Sequence, residues 1–130
     1  MSTITKTLLS DGPSKAVLSV YMQSDGVEGE LVNYLLLDPQ VDLAVPVNDL
    51  SILQIWYSFG WFDGLLAFDD VVPVPAWNLS RDGVGYCDFR YFGGFADRAG
   101  IDKTGKIFLT TSGFAVPGST GTLVIEVKKH

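Results

Sequence analysis

Three groups of carboxylates are the residues of this chain best suited to chemistry: Asp25 with Glu28 and Glu30, Asp69 with Asp70, and Asp97 with Asp102. Two carboxylates can divide the work of glycoside hydrolysis, and oxygen ligands alone can hold calcium. The spacing matches no calcium loop, however, and each group falls where ordinary structure explains it. Asp25 precedes Gly26 in a turn where its side chain can bond its own backbone, Glu28 and Glu30 lead into a strand, and Asp69-Asp70 follow one. We read them as turn and surface residues, expect no catalytic residue, cofactor or metal, and do not read the chain as an enzyme. A hydrolase working through Asp69, Asp70 or Asp88 is the weakest of three functional readings.

Other chemistries lack their residues. His130 is the one histidine and the last residue, and an unconstrained imidazole makes a poor general base. Cys87 is the one cysteine, so neither a zinc site of Cys and His ligands nor an intrachain disulfide can be assembled, and it reads as a small buried hydrophobe. Gly83-Val84-Gly85 and Gly118 to Gly121 are glycine-rich without the Gly-Lys-Ser/Thr ending of a phosphate cradle, and read as hairpin turns.

Aromatic residues make up 12% of the chain. Trp61 and Phe62 fall in the expected turn Gly60 to Gly64, where a solvent-facing apolar pair is costly, so they read as a subunit or partner contact, with packing over a sheet end as the competing role. Trp77, Tyr91 and Phe92 join them as candidate contact residues. A second functional reading uses Trp61, Trp77 or Tyr91 as stacking platforms of a carbohydrate- or receptor-binding module.

The elements that must position these side chains are strands. Fourteen glycines and six prolines punctuate the sequence, and no window holds a capped 3.6-residue apolar stripe. Period-two alternation predicts strands over Thr3 to Leu9, Lys15 to Gln23, Glu30 to Leu37, Ile52 to Phe59, Gly64 to Phe68, Val74 to Leu79 and Gly85 to Phe89, with two more around Ile107 to Thr111 and Leu123 to Lys128. In the fourth, Leu53, Ile55, Tyr57 and Phe59 form the expected core face, and Ile52, Gln54, Trp56 and Ser58 the other. Asp38 to Leu50, with Pro39 and Pro46, reads as irregular or edge structure. The expected fold is all-β, a single β-sandwich domain over residues 1–130 of about eight short antiparallel strands, jelly-roll-like, with a closed barrel as the alternative.

Charged residues are 18% of the chain, below the usual share of about 25%, so the polar surface is thin and a partner or further subunits are expected to cover part of it. A net charge of -6 argues against nucleic acid, and no apolar run is long enough to span a membrane. The first residues lack a secretory pattern, so a soluble protein is expected.

Motif order adds a resemblance. Asp11-Gly12-Pro13, Ser24-Asp25-Gly26 with Gly29-Glu30, Ile55-Trp56-Tyr57-Ser58 leading to Leu66-x-Phe68-Asp69, Asp88-Phe89-x-x-Phe92-Gly93-Gly94, Thr104-Gly105-Lys106-Ile107 with Thr110-Thr111-x-Gly113, and Ile125-Glu126-x-Lys128-Lys129 together resemble the small virion structural proteins of tailed bacteriophages. An acidic β-sandwich of this size is similar to their head decoration or cement proteins. The resemblance implies a homo-oligomer, a trimer by preference, bound to the major capsid protein on the outer capsid surface after synthesis in the host cytoplasm. It implies no catalytic residues.

Overall fold

The segment Lys15–Gln23 buries Ala16, Leu18, Val20 and Met22 and turns the residues between them outward, as strict alternation requires. Thr120–Lys129 does the same with Leu123, Ile125 and Val127, and the two strands pair antiparallel from Lys15 opposite Lys128 to Gln23 opposite Thr120. The computed structural model describes residues 3–27, 31–43, 50–60, 62–68, 74–79, 84–90, 94, 106–114 and 117–129. Within them the chain forms nine strands and no α-helix: β1 Thr3–Asp11, β2 Lys15–Gln23, β3 Tyr34–Leu37, β4 Leu50–Phe59, β5 Asp63–Phe68, β6 Val74–Leu79, β7 Val84–Asp88, β8 Ile107–Ser112 and β9 Thr120–Lys129.

Strand pairing defines the architecture. β5 pairs with β6, β4 with β7, β3 with β8 and β2 with β9, all antiparallel, so the chain from β2 onward is one long hairpin paired first strand to last. Rolling that hairpin brings β9 beside β4 and β8 beside β5. Two sheets result, ordered β1-β2-β9-β4-β7 and β3-β8-β5-β6. This is the jelly-roll arrangement, and β1 is an added edge strand outside the four nested pairs. The two sheets are also tied along their β1 and β3 edges: Lys6 Nζ donates to the Leu35 carbonyl at 3.1 Å and lies 5.6 Å from the centre of the Tyr34 ring.

Two expectations about the strands change in detail. The register of β4 against β9 slips between Ile52 and Gln54, so Leu53 is an extra residue and the inward set becomes Leu50, Ile52, Ile55 and Phe59, with Tyr57 partly buried against them. Leu53 is still buried, but beyond the main core: its carbonyl accepts the Phe89 amide at 2.7 Å and its side chain lies against Gly94. The third strand begins at Tyr34 rather than Glu30, because Asn33 sits at φ 48°, a left-handed conformation that interrupts extended backbone.

One aromatic cluster fills an end of the sandwich. Phe59 and Phe62 stack at 4.6 Å, and Phe62 meets Phe114 edge-on at 4.9 Å. Glycines in both sheets make the room. A Cβ on Gly121 would lie 2.6 Å from Phe62 Cζ and 2.8 Å from Phe59 Cδ1, and one on Gly64 would lie 2.8 Å from Phe59 Cε2. Gly121 is therefore an inward strand position of β9 and not a turn glycine. Elsewhere the β9 alternation carries Lys129 inward, with its side chain 2% exposed, and Nζ bonds Asp11 Oδ1 and the Gly12 carbonyl.

Candidate functional site

The outer face of the five-stranded sheet carries an aromatic cleft. Cross-strand register sets Trp56 between Val124 of β9 and Tyr86 of β7, Ser58 opposite Thr122, and Gln54 between Glu126 and Asp88. Trp56 belongs to the outward set of β4, which is why an apolar ring remains 39% exposed; Tyr86, on the edge strand, is 50% exposed. Their rings stack with centroids 5.3 Å apart and planes 30° from parallel. Together with Tyr57, Ser58, Gly85, Thr122 and Val124 they line an open cavity of about 400 Å³ that contains no charged side chain. Gly85 lies directly opposite Tyr57, and a Cβ there would fall 2.3 Å from Tyr57 Cε1, so only glycine lets that ring lie against the β7 backbone.

A polar network borders the cleft along β4, β7 and β9. Tyr86 Oη donates to Gln54 Oε1, and Gln54 Nε2 donates to Glu126 Oε1 at 2.9 Å. Beside them Arg90 grips Asp88 with Nε and Nη2, each at 2.9 Å, while its amide bonds Asp88 Oδ1 at 3.0 Å. These hydrogen bonds from Arg90 hold the Asp88 carboxyl down at about 2, and partial desolvation, followed by the charge of Asp88, pushes the Tyr86 phenol up. Tyr86 thus keeps its proton as a donor. Asp88 is ionised across the physiological range and unsuited to serve as a general acid.

The depressed Asp88 value has a testable sign. Its folded-state pKa lies below the ordinary 3.8, so the pair favours the folded state above that pH, and its contribution is lost as pH falls through about 2. By NMR, the Asp88 carboxyl is expected to titrate near 2, and Arg90→Gln to return the midpoint towards 3.8. A wild-type midpoint already at the ordinary value would contradict the geometry of the pair.

The residues singled out from sequence are dispersed. Phe62 is 0% exposed, so its expected role as a contact residue is corrected: the ring is part of the aromatic core between Phe59 and Phe114. Trp77 is partly exposed on edge strand β6 and meets buried Phe89 edge-on at 5.0 Å. Trp61, Tyr91 and Phe92 lie outside the described residues, as do Glu28, Glu30, Asp69, Asp70, Asp97, Asp102 and His130. Asp25 takes its turn role, accepting the Val27 amide at 2.9 Å. Among the described residues no three His, Cys, Asp or Glu side chains are grouped so as to hold a metal. No sequence pattern joins Trp56 to Tyr86. The outward half of the β4 alternation was the available signal for Trp56, and nothing local marks Tyr86 as its neighbour.

A second surface lies at one end of the roll. The connections β2 to β3, β4 to β5 and β8 to β9 meet there, held by backbone bonds from Ser24 N to Ser119 O, Gly118 N to Ser24 O and Gly60 N to Thr120 O, at 2.8, 3.1 and 3.0 Å. Gly26, at φ 76°, packs so closely on Pro117 that a Cβ would lie 2.3 Å from its ring. From this end Val27 and Val32 project 85% and 72% exposed.

Fold and surfaces define a jelly-roll β-sandwich with an uncharged aromatic cleft on one sheet and exposed valines at one end. Comparison with protein-family models, with curated proteins and with solved structures gives no match.

Proposed function

We propose that this chain is a structural protein of a bacteriophage virion, which decorates or cements the capsid by docking the valine-bearing end of the roll on the major capsid protein. The observation that carries the reading is the exposure of Val27 and Val32 on connections clamped by backbone hydrogen bonds. Valine is stiff at χ1 and loses little side-chain freedom when covered, and burying each contributes about 1.5–3 kcal/mol. The motif order that resembles small virion proteins, the jelly-roll topology and the low share of charged residues support the same role. A closed oligomer, a trimer by preference, presents several such ends together, and repeated weak contacts across a symmetric lattice give avidity beyond that of one site.

Sedimentation with capsids of the encoding phage assembled without this protein tests the proposal. The wild-type chain is expected to pellet with the shells, and the Val27→Asp/Val32→Asp double variant to stay in the supernatant while keeping the wild-type circular dichroism spectrum. Equal pelleting of the two proteins would reject the valine-bearing end as the docking surface.

A further inference from the structure

We propose that the cleft lined by the stacked Trp56 and Tyr86 is a binding subsite for an uncharged carbohydrate ring. The proposal does not rest on the capsid reading, because the cleft lies on the outer face of the β1-β2-β9-β4-β7 sheet and the valines at the end of the roll.

The chemistry of the walls selects the ligand. An exposed stacked indole and phenol offer a flat apolar platform, against which the C–H face of a pyranose can lie while its hydroxyls point to the rim. Hydroxyls stand at that rim: Ser58 and Thr122, opposite one another, are both exposed. Along the same face, Gln54 and Glu126 are joined by one hydrogen bond, and a carboxylate has acceptor capacity beyond that single contact. The Glu126 carboxylate suits a donating sugar hydroxyl, and buried Gln54, engaged at both ends of its amide, holds it in place.

Alternatives fit less well. The lining holds no cation, and nearby Arg90 is already neutralised by Asp88 while Glu126 adds a negative charge, so a phosphorylated or carboxylated ligand would lose its hydration and gain little counter-charge. A purely apolar ligand would cover the hydroxyls and leave them unpaired. A second copy of the chain would have to cover the rest of the face, where Thr5 and Thr7 of β1 stand opposite Tyr21 and Ser19 of β2. Burying that hydroxyl-rich surface against itself is costly, whereas a small ligand leaves it in water.

Saturation-transfer NMR and tryptophan fluorescence titration are the tests, with glucose, galactose, mannose, N-acetylglucosamine and their disaccharides as probes. At least one neutral sugar is expected to bind, and Trp56→Ala and Tyr86→Ala each to weaken it about tenfold or more. Thr122→Glu, an exposed substitution that crowds the cleft without touching the stacked pair, is expected to do the same and decides the matter if Trp56→Ala fails to fold. Trp77→Phe, on the other sheet, is expected to leave affinity unchanged. The proposal is overturned if no probe binds, if binding survives Thr122→Glu, or if that substitution instead dissociates an oligomer, which would make the face a contact between copies. Capsid sedimentation reads the other surface, so either proposal can fail alone.

Discussion

Phe62→Ala is expected to lower the free energy of unfolding by about 3–5 kcal/mol, the range for truncating a buried aromatic ring. The ring is fully buried, stacked on Phe59 and edge-on to Phe114, and its tip reaches the space left by Gly121. Removing it opens a hole between two sheets that are each stiffened by their own ladders, so little collapse can compensate. Urea denaturation should show a lower midpoint with an unchanged slope. A loss below about 1 kcal/mol would place Phe62 on the surface and restore its reading as a contact residue.

Asp11→Ala is expected to cost about 3 kcal/mol, measured in the same way. Lys129 is an inward residue of the last strand, and its ammonium is neutralised by Asp11, with the Gly12 carbonyl as a second acceptor. Without the carboxylate, a charge with a 2% exposed side chain is left with one neutral partner. Replacing both residues by apolar ones, Asp11→Leu with Lys129→Met, should recover most of the loss, since a matched apolar pair carries no desolvation penalty. A double variant as unstable as Asp11→Ala would show that the turn at Gly12, and not the buried charge, sets the cost.

Much of the fold was legible because alternation is a local property. Lys15–Gln23 and Val74–Leu79 have in space the bounds that their alternation predicts. The misreadings arise where a local rule meets a non-local cause. Alternation puts Leu53 on the main core face because a bulge leaves no mark in the pattern, yet the bulge moves Ile52 inward. Gly121 looked like a turn glycine because nothing nearby in sequence reveals that Phe62 needs its space. The burial of Lys129 has no local cause either, since only its distant neighbour Asp11 explains it.

The candidate site was less legible for the same reason. Trp56 and Tyr86 meet only because β4 and β7 pair in one register, and single-strand patterns carry no information about that register. Phe62, the one of the Trp61-Phe62 turn pair among the described residues, proved to be core, because the turn folds its ring back between the sheets.

Saturation of undecorated shells with the protein, followed by sedimentation, reads docking on a capsid lattice. Uptake is expected to plateau at a fixed number of chains per lattice unit and to persist at roughly 1 M salt, where charge attraction is screened but apolar burial is not. Absence from the pellet at every salt concentration, or uptake that never saturates, would contradict such docking.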